Sequence, residues 1–468
     1  MSVNPRVFLS VARRTVALHG GVANLLRRMA VILQREGMRG IRKRLAGLIA
    51  DGGPAARPKT AGPPAHDGAV QVQPHVESAP SGLDVAGTGK IAAHLQPGAL
   101  LVGHPYGVSG RGEDVRTTAR AFARMSMPFG ICNTFGEYGR HTASIHRDFP
   151  LMDRITTENR YKCNIFHLNA DEMEHASRHL GADFFAGRYN IGYWAWELSE
   201  FPDAWLPAFN FVDEIWAPSR FTQQALSEKA PCPVLRMPLG VELPEETAFS
   251  RRDLGLPEDR FLFLFFFDFT SYLARKNPWA TIRAFKAAFG DDAGAKVGLV
   301  IKTNGMALRP EEAGHFLQAD ELDDPRIVVL DKVMEDREIR GLVRSCDCFV
   351  SLHRSEGYGR GPAEAMFFGK PVIVTGYSGN LDFTNELNAC MVDYTLVPVR
   401  EGEYPHGAGQ MWAEADVDQA AWYMRRLVAD PSYGAGLGRV AADFIRSHCG
   451  AEAVGRRYRA RLDRLELL

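Results

Sequence analysis

The stretch from Cys348 to Gly379, CFVSLHRSEGYGRGPAEAMFFGKPVIVTGYSG, leaves the chain few ways to fold. Its apolar run Cys348-Phe349-Val350-Ser351-Leu352 is short and continuous, as a strand buried on both faces of a parallel sheet must be. Polar residues and three glycines follow in Ser355-Glu356-Gly357-Tyr358-Gly359-Arg360-Gly361-Pro362, which lets backbone approach a ligand. The pattern then predicts a helix that starts near Pro362 and stops at Gly369, and a further strand over Pro371 to Thr375. A strand, a glycine-rich turn and a helix start form an anion site, because the first amides of the helix lack partners and carry its positive end.

Two carboxylates accompany that helix start. Glu356 lies in the turn and Glu364 in the first turn of the helix, with seven residues between them, so both can face one cleft. Carboxylates repel a phosphate but accept hydrogen bonds from sugar hydroxyls, so the pair points to a sugar carried on a phosphate. The bland alternative for Glu364 is a residue that only complements the helix dipole.

The segment SEGYGRGPAEAM resembles the Glu-x7-Glu signature of the retaining glycosyltransferases of family four. The resemblance implies an α/β protein with the GT-B fold: two doubly wound Rossmann-like domains facing across a cleft. It further implies that Glu364 holds the ribose of a nucleotide-diphosphate sugar and that Glu356 contacts the donor sugar. Amides around Tyr358, Gly359 and Arg360 would lie along the sugar and diphosphate. No metal and no cofactor beyond the donor substrate are implied.

Upstream, Phe261 to Phe267 reads as a core strand and leads to Arg275-Lys276-Asn277-Pro278, two cations just before a helix that opens on proline. Cations oppose the dipole at that end, so a bound phosphate explains them better than solvation does. In the resembled family a basic pair here neutralises the departing diphosphate. That role falls to Lys276, supported by Arg275. Strands at Val297 to Ile301 and Arg326 to Leu330 and a helix over Asp336 to Ser345 complete the alternation, and by resemblance Lys302 and Val333 lie near the nucleobase.

The first half opens with a strand at Ala99 to Gly103, a glycine loop and a helix to about Met125. Gly110 and Gly112 match the loop that the family lays against the donor phosphates. Strands are expected at Cys163 to Leu168, Asn190 to Ala195, Asp213 to Ala217 and Pro233 to Met237. Glu197 closes Ile191-Gly192-Tyr193-Trp194-Ala195-Trp196-Glu197, placing a carboxylate at the carboxyl end of a strand, where open α/β sheets bind ligands. Apolar rings beside it suit proton transfer. Many family members carry a histidine at that strand end. Here its role belongs to Glu197 or is missing, with His167 as the second candidate for a sugar contact.

Residues 1–50 hold ten basic residues and one acidic, a net +9, which leaves −10 for the rest of a chain whose total is −1. Apolar clusters alternate with the arginines in a basic amphipathic helical pattern. It fits an anionic membrane surface or a helix packed on the protein or a partner; a cleaved targeting peptide fits less well. Residues 51–96, rich in Pro, Ala and Gly, read as a linker. Within it Gly87-Thr88-Gly89-Lys90 fails as a phosphate loop, since Asp84 stands where glycine and Ile91 where serine or threonine is needed.

The domains are therefore expected at 97–244 for the acceptor, 245–450 for the nucleotide sugar, and 451–468 as a last helix returning to the first domain. Seven scattered cysteines point to a reducing compartment, hence a cytoplasmic protein, with the inner membrane face as a second location. The expected function is sugar transfer with retention to a glycan or lipid-linked acceptor in bacterial surface polysaccharide or lipopolysaccharide synthesis, with no nucleic-acid partner. A sugar-nucleotide epimerase of the same fold and a non-catalytic assembly subunit are the alternatives.

Overall fold

Buried apolar runs with helices between them build two parallel sheets. In the computed structural model, residues 91–107, 110–134, 149–243, 249–290, 292 and 294–468 are described. All belong to one contact unit, Ser81–Leu468. The basic start, the linker through residue 90 and the expected boundary at Pro244 fall outside the described residues. At the end of the stretch read as linker, Leu95 is already buried and Gln96 opens the first strand.

The first domain runs β1 (Gln96–Gly103), α1 (Gly110–Arg124), β2 (Phe129–Asn133), β3 (Tyr161–Phe166), α2 (Ala170–Leu180), β4 (Tyr189–Tyr193), β5 (Glu214–Ala217), α3 (Arg220–Ser227) and β6 (Val234–Arg236). Its six strands are parallel in the order β2-β1-β3-β4-β5-β6. The order reverses beside β1, so a crevice opens between the loops after β1 and β3.

The second domain runs β7 (Phe261–Asp268), α4 (Leu273–Lys276), α5 (Pro278–Phe289), β8 (Val297–Asn304), α6 (Pro310–Leu317), β9 (Ile327–Asp331), α7 (Asp336–Ser345), β10 (Cys348–Ser351), α8 (Arg360–Phe367), β11 (Val372–Thr375) and β12 (Cys390–Val392). These six strands are also parallel, in the order β12-β11-β10-β7-β8-β9. Alternation explains the run of phenylalanines in β7. Phe263, Phe265 and Phe267 fill one core, whereas Leu262 and Leu264 face the other. The switch point falls between β7 and β10, and the segments leaving those two strands carry Lys276, at the end of α4, and Glu356.

Neither β2 nor β12 nor the antiparallel hairpin of β13 (Tyr394–Pro398) with β14 (Met411–Ala415) was expected from the sequence. Then follow α9 (Val417–Ala429), α10 (Pro431–His448) and α11 (Ala451–Arg464). Helix α11 packs on α1 of the first domain. Tyr458 donates to the Pro238 carbonyl at 2.9 Å, and Arg461 pairs with Glu214, which is fully buried in β5. Among the described residues no helix is long and apolar enough to cross a membrane. All seven cysteines are free.

Candidate active site

The facing ends of the two sheets enclose a cleft of about 1040 Å³. Its second-domain wall begins at α8. The helix starts at Arg360, two residues earlier than the position of Pro362 suggested, because Gly359 takes a left-handed conformation (φ 95°) that turns the chain into it. Among the described residues no side chain caps this start, and Gly359, Arg360, Gly361 and Pro362 line the cleft.

Glu356 sits at the mouth of that turn between two cations. Lys276 Nζ donates to its Oε1 at 2.5 Å, and Arg275 Nη1 lies 3.4 Å from Oε2. Burial alone would raise the Glu356 carboxyl, but Lys276 and Arg275 outweigh it and bring it down to about 2. Burial pulls the Lys276 ammonium below its ordinary value even though Glu356 supports its charge. Glu364 behaves oppositely. Burial, with Glu113 and Asp336 adding repulsion, pushes its carboxyl up to about 7 against the pull of Arg360, whose Nη1 is 3.6 Å away. Two carboxylates on one wall thus hold different charge states near neutral pH. Lys302, Val333, Met334 and Arg340 also line the cleft.

The first-domain wall comes from α1, α2 and the segment after β4. Gly112 must be glycine, since a Cβ there would stand 2.1 Å from the Gly107 carbonyl oxygen; Gly110 has open space around it. Arg111 Nη1 donates to Asp114 Oδ2 at 2.8 Å, and Arg360 Nη2 donates to the other oxygen, Oδ1, at 2.7 Å. Asp114 therefore ties the signature turn to the first domain. Ser219 Oγ, donating to the Gly357 carbonyl at 2.6 Å, and Tyr358, donating to the Leu239 carbonyl at 3.2 Å, secure the same turn. The Tyr358 ring packs on that of Phe383, 5.1 Å away, and the residue lines the cleft.

Glu197 does reach the cleft, just across from Gly357. Its Oε2 accepts from Tyr404 at 2.6 Å. His167 does not. It is fully buried, its ring 5.0 Å from that of Tyr193, with neither nitrogen hydrogen-bonded among the described residues. Burial, with Arg111 and Arg360 nearby, holds the imidazole far below its usual value, so it stays neutral. The second candidate for a sugar contact is thus corrected: β3 ends one residue before His167 and turns the ring inward.

Arg111, Asp114 and Tyr404 were not singled out in sequence. An arginine between two glycines after the first strand was the available signal for Arg111. Nothing local marks Tyr404, which lies 207 residues from its partner.

Residues 268–401 match the family model described as "Glycosyl transferases group 1". No curated protein matches the chain. Among solved structures, Anabaena HepE in complex with UDP-glucose is 14% identical over 79% of this chain and 100% of its own, with a TM-score of 0.54. A glycosyltransferase from Rickettsia africae is 13% identical over 79% and 99%, at 0.56. The sucrose-phosphate synthase of Thermosynechococcus elongatus is 14% identical over 79% and 99%, at 0.55. With both sheets facing one cleft, these likenesses establish the GT-B fold, and the family match falls within the second domain.

Proposed function

We propose that the chain is a retaining glycosyltransferase that moves a sugar from a nucleotide-diphosphate sugar to an acceptor hydroxyl. The observation that carries the reading is the convergence of Lys276, Arg275 and Glu356 on the open start of α8, at the switch point of the second sheet. The diphosphate lies on Lys276, Arg275 and the α8 amides, so charge released by cleavage of the anomeric carbon–oxygen bond meets positive groups already in place. Glu364 holds the ribose and Glu356 orients both Lys276 and the sugar.

The acceptor enters along the first-domain wall, where Asp171 and Glu197 offer acceptors for hydroxyl hydrogens. The new carbon–oxygen bond forms on the face that the diphosphate leaves, and the acceptor proton passes to a departing phosphate oxygen. Glu356, ionised down to about pH 2, is no proton donor in this scheme. Positive side chains carry the charge of the leaving group, and no metal is proposed. The family resemblance supports a glycan or lipid-linked acceptor in bacterial surface polysaccharide synthesis, at the cytoplasmic side of the membrane. HepE was solved with UDP-glucose, which makes uridine donors the first to try.

A panel of nucleotide sugars with glycan acceptors tests the reading. Release of nucleoside diphosphate only when acceptor is present, with the anomeric configuration kept in the product, is expected. Epimerised donor without transfer would contradict it.

A further inference from the structure

The hairpin that the sequence did not announce crosses from the second domain to the first. The turn between β13 and β14 grips the segment that follows Glu197. Gln410 Oε1 accepts from the Glu200 amide at 2.9 Å, and its Nε2 donates to the Glu200 carbonyl at 3.2 Å. The His406 ring lies 5.2 Å from Trp205. Tyr404 stands between Trp196 (5.6 Å), Tyr272 (4.9 Å) and the Arg275 guanidinium (5.8 Å). Its hydroxyl spends its hydrogen on Glu197 Oε2. The main chain of Glu197 is held as well, its carbonyl accepting from Ser355 Oγ. Glu197 Oε1 makes no hydrogen bond among the described residues; of the two carboxylate oxygens it is the one that lies 3.7 Å from where a Cβ on Gly357 would stand.

We propose that Tyr404 is a positioning residue for sugar transfer: it engages one oxygen of Glu197, so that the other faces the cleft to accept a hydrogen bond from a non-reacting hydroxyl of the acceptor. The inference rests on the transferase reading above. Two features set it apart from simple packing. A carboxylate side chain with free torsions has several rotamers, and a single hydroxyl donor selects one. That donor comes from the opposite domain, so Glu197 is set only while the hairpin is seated on the segment 196–205. Seating of the two domains and orientation of the acceptor become one event. No bond is made or broken by Tyr404; the acceptor proton still passes to the diphosphate.

The test uses the full chain as wild type, Tyr404→Phe, Glu197→Gln and the double variant, with the donor and acceptor found in the panel. Tyr404→Phe keeps the ring and loses only the hydroxyl. It is expected to lower kcat by about ten- to a hundredfold, the worth of one hydrogen bond to a charged group. Affinity for the nucleoside diphosphate should stay within about twofold, since the lost contact lies on the acceptor side. The double variant should be no slower than Glu197→Gln alone. A kcat for Tyr404→Phe equal to wild type, or losses that multiply in the double variant, overturns the inference and leaves the transferase reading standing. Should Tyr404→Phe fail to fold, Gln410→Ala loosens the same turn and must lower kcat with unchanged nucleotide affinity, and an unchanged kcat counts against the proposal. A wild-type protein that neither binds nor consumes any nucleotide sugar overturns the transferase reading, and this inference falls with it.

Discussion

Glu364 and Glu356 share a wall and differ in charge, and each difference can be measured. Glu364, at about 7, is raised above its ordinary value, so the folded protein binds a proton that the unfolded chain has released. Its stabilising contribution is full below about pH 4.5 and is lost as pH rises through about 7. Glu364→Gln should therefore be more stable than wild type at pH 8 but not at pH 5, by roughly 1–3 kcal/mol, as read from denaturant unfolding at the two pH values. The same substitution should weaken nucleoside diphosphate binding above pH 7. Ribose hydroxyls donate best to the ionised carboxyl, so wild-type affinity should rise toward about pH 7 and level off, and the variant should lack that component. Glu356 is lowered to about 2, so its contribution is present above the ordinary carboxylate range and lost only as pH falls through about 2. Glu356→Gln should mainly slow turnover, by about ten- to a hundredfold, because it removes a charge-assisted partner of Lys276 worth roughly 1.5–3 kcal/mol. Steady-state kcat and nucleotide affinity measured together separate the two glutamates.

At the scale of elements, the α8 start depends on backbone geometry more than on any side chain. Gly359→Ala places a Cβ at φ 95° and 3.2 Å from the Asn380 Cβ, which should cost about 1 kcal/mol or more and shift the amides that receive phosphate. A lowered thermal midpoint with weaker nucleoside diphosphate binding is the expected pair of results. The strand–turn–helix around it was legible because every signal in it is local: a continuous apolar run, glycines, a proline and two spaced glutamates. The strand β7 and the helices α7 and α11 were legible for the same reason. Other elements were hidden by composition. In β2 a glycine interrupts a five-residue run, and α10 holds Gly434, Gly436 and Gly438, which argue against a helix that tertiary packing nonetheless forms. The β13–β14 strands pair locally, but the contacts that seat their turn on the first domain are remote in sequence; Gln410 meets Glu200 across 210 residues. His167 misled for a related reason. A strand end can be read from periodicity, but which way the next side chain turns depends on neighbours such as Tyr193 that only the fold supplies.

For the whole molecule, the charge partition sets the last expectation. Residues 1–50 carry +9, and each Lys or Arg near an anionic surface is worth about 1 kcal/mol, enough for membrane attachment even if half engage. Removing residues 1–90 spares the buried Leu95. The shortened chain should no longer sediment with anionic vesicles at low salt, yet should keep its transfer rate with a soluble acceptor, since Lys276, Glu356 and Glu364 all lie beyond it. Equal sedimentation of both forms would favour a packing or partner helix instead. The central claim, a nucleotide-diphosphate-sugar cleft closed by two domains, is tested most directly by calorimetric titration of the full chain and of Lys276→Ala with UDP, ADP and GDP. One of these should bind the wild type, and the variant should bind it at least about tenfold more weakly while remaining folded, because the diphosphate loses its buried counter-charge. Equal binding by wild type and variant, or no binding of any of the three to the wild type, would contradict the account.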